Sequence, residues 1–268
     1  MGNKKIYRNY HTHTVRCKHA SDRDEDYVLH ALERGYDTLG FSDHAPWPYA
    51  GGTESVCRMP VDLLEDYVSS VRRLQAEYRG RLKILLGLEC EYYPQYYDWL
   101  RQKRDEYQMD YLILGNHFLR DDEQDCHFSH VRTPDLLLQY ADMAIAGMKT
   151  GLFTYLAHPD VVLASYPEFD KTCEEMSRMI CQASNEMHFP LEYNLQGKLY
   201  QDRKVYDGLE YPCLEFWKIA GAMGCEAIVG VDAHAAASLD RTDRIDEGWR
   251  ILDSYGCRMT DRIHLISG

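Results

Sequence analysis

The chain has nine cysteines but no Cys-x-x-Cys pair; they are scattered at Cys17, Cys57, Cys90, Cys126, Cys173, Cys181, Cys213, Cys225 and Cys257. An odd number without paired spacing argues against a zinc finger, a thioredoxin-like site and a secreted disulfide framework. No apolar run is long enough to cross a bilayer. The start, Met1-Gly2-Asn3-Lys4-Lys5-Ile6, has no apolar signal region, so the cytoplasm is the expected setting. Ile6 stands where a myristoylation signal on Gly2 carries Ser or Thr. Positive charge is also short: 30 Lys and Arg face 43 Asp and Glu, a net −13. That leaves no broad basic face for nucleic acid. If the substrate is an anion, something local has to reverse this field, and bound divalent cations would do so. Pro/Gly/Ser linkers, internal repeats and low-complexity tracts are all missing, so residues 1–268 read as a single domain. That length buries a substantial core without disulfides.

What is present is an alternation of short apolar runs and longer amphipathic ones. Strands are predicted at Ile6–Tyr10, Thr38–Ser42, Ile84–Leu88, Tyr111–Leu114, Phe153–Ala157, Pro190–Tyr193 and Ala227–Val231. Helices are predicted at Asp24–Arg34, Val61–Arg79, from Pro134 to near Gly151 with Thr133 as N-cap, and at Lys171–Met187, Cys213–Met223 and Asp243–Tyr255. Arg262–Ser267 reads as an eighth strand or a tail. Seven strand–helix alternations imply an α/β fold, either a parallel barrel or an open parallel sheet.

The chemistry-bearing residues follow the apolar runs. Tyr10-His11-Thr12-His13 follows the first and Asp232-Ala233-His234 the last; His44, Glu89, His117, His158 and Asn194 follow runs between them. Side chains two apart on a strand share a face, so His11 and His13 aim at one spot. In barrels the C-terminal strand ends build the active site. An open sheet would spread these groups along a crevice, whereas a closed barrel makes them converge. The barrel is therefore preferred. Imidazole and carboxylate suit zinc, iron and manganese. One ion needs three or four protein ligands and an open position. The set His11, His13, His19, His44, Glu89, His117, His158, Asp232 and His234 is enough for two or three ions. Glu89 and Glu91 share a strand face and compete as the bridging carboxylate.

Taken together, His11-Thr12-His13, His19-Ala20, Ser42-Asp43-His44, Gly87-Leu88-Glu89, Gly115-Asn116-His117-Phe118, Ala157-His158-Pro159-Asp160, Glu192-Tyr193-Asn194 with Gly197, and Asp232-Ala233-His234 resemble the PHP (polymerase and histidinol phosphatase) superfamily, histidinol-phosphatase branch. The resemblance spans nearly the whole chain in order. It implies a distorted seven-stranded, TIM-barrel-like β/α barrel, a trinuclear centre of Zn, Mn or Fe, and hydrolysis of a small phosphomonoester by metal-activated hydroxide. L-histidinol phosphate is the expected substrate.

Within that reading, Asp43, His44 and Asp160 are candidates to move the leaving-group proton. Arg58, Lys198 and Arg132 are candidates to fork the phosphate, and Asn194 to bind substrate. Asp160, Glu192, Tyr92 and Trp47 are candidates to receive the cationic end. Two loops depart from the branch: Val161-Val162-Leu163 follows Asp160 where a basic residue is expected, and Leu195-Gln196-Gly197-Lys198 follows Asn194 where an Arg-containing turn is expected. His127 and His130 read as ordinary loop residues, Cys17 and Cys90 as buried spectators, and the tyrosines as packing. The competing functions are another small phosphomonoester (nucleotide, sugar phosphate or phosphotyrosine), a barrel amidohydrolase with a carboxylated lysine between its metals, and a non-catalytic metal-binding module.

Overall fold

A computed structural model describes residues 5–49, 54–120 and 127–266. Cys126, most of the stretch before Ile6 and the last two residues lie outside these, and with them the question of Gly2. Eight parallel stretches of backbone alternate with helices. β1 (Tyr7–Asn9), β2 (Tyr36–His44), β3 (Lys83–Cys90) and β4 (Tyr111–Leu114) form one sheet in that order. β5 (Leu191–Asn194), β6 (Glu226–Gly230) and β7 (Arg258–Met259) form a second.

Two seams join the sheets into a ring. Leu156 bridges Leu114 on one side and Leu191 on the other. Thr12, just past β1, bridges Ala233, just past β6, through His13 N–H to the Ala233 carbonyl at 2.9 Å and Ala233 N–H to the His11 carbonyl at 3.0 Å. The wall is thus a closed, distorted barrel, as expected. Its seventh named strand is a correction, however. The stretch 153–157 keeps only the Leu156 bridge, and the short β7 pairs with the start of β6. Residues 262–266 form no strand.

Strand alternation then sorts the side chains. Tyr10, Leu85, Tyr111, Ile113, Tyr155, Ala157 and Ile228 fill the barrel interior. Tyr111 is the plug: its hydroxyl donates to the Tyr10 carbonyl at 2.6 Å, and its ring lies where a Cβ on Gly87 would sit 2.7 Å away. The alternate residues, including Leu39, Phe41, Leu86, Leu88, Leu112 and Leu114, face the surrounding helices.

The helices are α1 (Asp24–Arg34), α2 (Leu64–Glu77), α3 (Tyr97–Glu106), α4 (Pro134–Met148), α5 (Lys171–Met187), α6 (Leu195–Asp202), α7 (Leu214–Ala222) and α8 (Thr242–Tyr255). α1 and α8 stop at Gly35 and Gly256, both left-handed with φ of 83° and 87°, where a side chain would be strained. Asp170 caps α5 by accepting from Thr172 and Cys173 N–H at 2.9 Å each. Thr133 makes no such side-chain bond, and α4 starts on Pro134 alone. α3 and α6 were not expected from periodicity: only Tyr97 and Leu100 of α3 are buried, too few for a helical stripe. Among the described residues no helix is long and apolar enough to cross a membrane.

Candidate metal centre

Every strand-end residue of the predicted set lies at one end of the barrel, around Glu89. Glu89 ends the inward row of β3 and is fully buried. Its Oε2 lies 3.0 Å from His44 Nδ1, 3.4 Å from His11 Nε2 and 3.5 Å from His13 Nε2. Its Oε1 lies 2.8 Å from His158 Nε2 and 3.4 Å from His117 Nε2. Asp232 is the second hub, with Oδ1 3.0 Å from His13 Nε2 and 3.4 Å from both His11 Nε2 and His234 Nδ1. His19 completes the group, its ring 4.8 Å from that of His234 and 5.3 Å from that of His44.

The backbone is shaped for this convergence. Gly115 and Gly230 lie where a Cβ would come within 2.1 Å of Glu89 Oε1 and 1.8 Å of Glu192 Oε1. His158 and Asp232 adopt positive φ, 32° and 52°. Backbone strain of this kind costs on the order of 1–3 kcal/mol per residue and persists where surrounding structure enforces it.

The far nitrogens of the rings are held by the protein. His11 Nδ1 meets Glu192 at 2.9 and 3.1 Å, His117 Nδ1 meets Glu91 at 2.8 Å, and His13 Nδ1 meets Asp43 at 3.4 Å. His19 Nδ1 and His234 Nδ1 donate to the carbonyls of Cys17 and Asp232 at 2.8 and 3.0 Å. Such outer partners fix the tautomer so that the other nitrogen keeps its lone pair for a cation. The inward atoms His11 Nε2, His13 Nε2, His44 Nδ1, Glu89 Oε2 and Asp232 Oδ1 are buried without hydrogen-bond partners. Orphaned buried acceptors are costly, and divalent cations would satisfy all of them. The donor set fits metal ions. Four overlapping groups, each with ligand atoms within 4.8 Å of one another, are His11, His13 and Glu89; His44, Glu89 and His117; His19, His44 and His234; and His13, Cys17 and His234.

Electrostatics agree. Burial pushes the Glu89 carboxyl up, but the imidazoles of His117, His11 and His44 outweigh it and hold it well below the usual range. Asp232 behaves likewise against burial, through His11, His234 and His13. Burial and the neighbouring His13 push His44 well down, and His234 down to about 3. His11 and His13 go the other way: against burial, Glu192, Asp232 and Asp43 push them well up, so metal binding, which requires neutral imidazoles beside ionised carboxylates, would release protons there.

Several expected roles change. Glu91 is not the bridging carboxylate: it sits just past β3, fully buried, paired with Arg58 and accepting from Trp47 Nε1 at 2.8 Å. Arg58 lines the cavity but is itself fully buried and tied to Glu91. Asp43 and Asp160 do not line the cavity. Asp43 accepts from Thr14 and His44 backbone N–H and holds His13. Asp160 accepts from Cys213 N–H at 2.7 Å and Trp217 Nε1 at 3.1 Å, anchoring α7, and burial pushes its carboxyl up to about 6.

Asn194 holds the centre from behind: it donates to Glu192 at 3.0 Å and Asp232 at 3.1 Å, and caps α6 through Gly197 N–H. Lys198 lies on α6, facing a separate groove with Asp202 and Arg241. Arg132 pairs with Asp207 on the surface at 2.6 Å. Neither cation reaches the centre. Tyr92, Trp47 and Glu192 form no rim to the cavity either. The cavity, about 380 Å³, is also lined by Phe118, His127, Val161, Tyr200, Tyr206 and Tyr211. His127 and the three tyrosines carried no periodic signal that would have separated them from packing residues. No lysine lines the cavity among the described residues, which leaves no candidate for a carboxylated bridge.

Comparison with known proteins agrees with this geometry. Residues 9–196 match the PHP domain. A Bacillus subtilis protein named histidinol-phosphatase is 36% identical over 121 residues, 43% of this chain and 45% of that protein. A Deinococcus radiodurans protein named "Probable histidinol-phosphatase" is 27% identical over 163 residues, 56% of this chain and 59% of that protein. The chain thus spans about half the length of these curated relatives. Among solved structures, the histidinol phosphate phosphatase of Lactococcus lactis, complexed with Zn, L-histidinol and phosphate, superposes with a TM-score of 0.69 at 18% identity, covering 97% of this chain and 99% of that one. That likeness establishes the fold. The family match, covering most of the barrel and all of the strand ends from His11 to Asn194, establishes the lineage: the chain belongs to the PHP domain family.

Proposed function

We propose that the protein is a metal-dependent phosphomonoesterase, with L-histidinol phosphate as its substrate. The observation that carries this reading is the cluster of buried, partnerless nitrogen and oxygen atoms on His11, His13, His44, Glu89 and Asp232, of which all but His11 line one cavity. His11, His13, Glu89 and Asp232 would hold one ion, Glu89, His117 and His158 a second, and His19, His44 and His234 a third. Zn, Mn and Fe all suit these donors. Bound divalent ions supply Lewis acidity, lowering the pKa of water and offsetting the charge of a phosphoryl group. The protein's own groups do the positioning. Glu192, Asp43 and Glu91 orient His11, His13 and His117. Of the three groups considered for the leaving-group proton, His44 alone lines the cavity. The relatives named above support histidinol phosphate over other esters.

A single domain over residues 1–268 and a cytoplasmic setting complete the proposal.

Phosphate release from histidinol phosphate, an aryl phosphate and nucleoside monophosphates, with metal content measured on the same sample, tests the proposal. Two to three ions per chain and a marked preference for histidinol phosphate are expected. Full activity with a single ion would overturn the polynuclear reading, and equal kcat/KM across the panel would overturn the substrate.

A further inference from the structure

The cavity lining has two chemically different parts. Imidazoles and two carboxylates form the metal pole. Tyr200, Tyr206 and Tyr211 form an aromatic part beside it. The rings of Tyr200 and Tyr206 are 5.8 Å apart at 87°, and those of Tyr206 and Tyr211 are 6.3 Å apart at 67°. Three aromatic planes, each steeply inclined to its neighbour, line one wall. Tyr211 is fixed in place, because its ring occupies the space a Cβ on Gly197 would need, 2.7 Å away. Among the described residues, Glu89 and Asp232 are the only carboxylates lining the cavity, and both lie at the imidazole pole.

Resting on the reading of this cavity as a phosphomonoesterase site, we propose that Tyr200, Tyr206 and Tyr211 form an aromatic box that takes an amine-bearing, cationic organic end of the substrate. A carboxylate on this wall would also hold an ammonium. It would, however, compete for divalent ions held in the same cavity and repel the phosphate dianion. Ring faces attract a cation through their quadrupole yet are no metal ligands. The box therefore separates the two charges of a zwitterionic phosphoester: dianion to the metal pole, ammonium to the rings. The acidic chain, net −13, draws cations toward its surface in the same sense.

The test uses the metal-loaded enzyme and two esters, L-histidinol phosphate and its deamino analogue, which keeps the imidazole and the phosphate but lacks the ammonium. Tyr206→Leu removes a ring face, whereas Tyr206→Phe keeps it; Tyr200→Leu is the second variant. The wild type should favour the amine-bearing ester by about tenfold in kcat/KM, mostly through KM. Tyr206→Phe should keep that preference. Tyr206→Leu and Tyr200→Leu should each lose most of it, the amine-bearing ester losing several-fold more kcat/KM than the deamino ester. Equal loss on both esters, or Phe behaving like Leu, would overturn the box.

Calorimetric titration of L-histidinol itself separates the box from the reaction. If the enzyme releases no phosphate from histidinol phosphate but binds L-histidinol through Tyr206, the proposed function fails and the box stands. If it binds no L-histidinol, or binds it equally well in Tyr206→Leu, the box fails whatever the activity.

Discussion

Gly115→Ala places a methyl group where the structure has none to spare. The new Cβ would lie 2.1 Å from Glu89 Oε1 and 2.7 Å from its carboxyl carbon, while real Cβ atoms essentially never approach closer than 3.0 Å. Gly115 N–H is tied to the Cys90 carbonyl at 2.8 Å, so the backbone is poorly placed to yield. Glu89 must then recede by about 0.9 Å to reach that limit. Metal–ligand distances tolerate about 0.2 Å. A displacement near 1 Å at a reacting centre costs roughly a hundredfold in rate. At 1.36 kcal/mol per tenfold, that is about 2.7 kcal/mol of transition-state stabilisation.

The expected result is therefore a loss of metal, or a loss of about two orders of magnitude in kcat/KM at full metal occupancy, in a protein that still folds. Gly151→Ala is the control. Gly151 has φ of 66° and open space around it, so alanine there should lower stability by about 1 kcal/mol and leave kinetics unchanged. Elemental analysis, phosphate-release kinetics and thermal melting on both variants read the difference. Full metal and unchanged kcat/KM in Gly115→Ala would refute Glu89 as the central ligand.

Three further outcomes follow from the same geometry. Glu91→Ala removes one carboxylate partner of the fully buried Arg58 guanidinium together with the acceptor that holds His117 Nδ1 and Trp47 Nε1, and should cost up to about 3–5 kcal/mol in denaturant unfolding; a loss below 1 kcal/mol would show that Glu91 contributes little to the fold. Asp160 has its folded-state carboxyl pushed by burial to about 6 from 3.8, so ionising it opposes folding above that pH and the penalty fades as pH falls from about 6 toward 4. Measured against Asp160→Asn, the wild type should gain on the order of 3 kcal/mol over that interval, and parallel stability curves would contradict the shift. Lys198→Ala and Arg132→Ala should leave kcat/KM unchanged, because Lys198 faces the groove beside Asp202 and Arg132 pairs with Asp207; a raised KM in either would return it to the site.

The strand ends were legible in the sequence because alternation and chain direction are one-dimensional properties. His11 and His13, Glu89, His117, His158, Asp232 and His234 each follow an apolar run, and a closed parallel barrel has only one face on which such positions meet. Depth along that face was not legible. Glu89 and Glu91 share parity on β3, and only the end of the strand at Cys90, with Arg58 waiting beyond it, separates a hub from a positioning group. Arg58 reads as a candidate phosphate fork, and nothing in the sequence signals its buried partner Glu91. Lys198 was read as part of a loop after β5. Asn194 instead caps a helix there, and helical geometry carries Lys198 out of the cavity. The tyrosine wall comes from Tyr200 near the end of α6 and from the irregular stretch holding Tyr206 and Tyr211, where no period distinguishes lining from packing.

The two halves of the centre come from opposite ends of the chain, and this couples the chemistry to the fold. His11 and His13 lie on one side of the barrel seam, Asp232 and His234 on the other, and the Thr12–Ala233 bridge joins them. Asn9 reinforces the join: its side chain donates to the His11 carbonyl and Thr12 Oγ1 at 2.9 Å each, and accepts from Val231 N–H at 2.9 Å. In the unfolded chain these ligands are more than two hundred residues apart, so a cation that needs both binds the closed barrel in preference to any open form. By mass action such a cation stabilises the fold by RT ln(1 + [L]/Kd), about 4 kcal/mol at a thousandfold excess over Kd. Without it, the seam holds buried His11 Nε2, His13 Nε2 and Asp232 Oδ1 with no partners. The same atoms that make the site chemically competent therefore tie cation binding to closure of the seam.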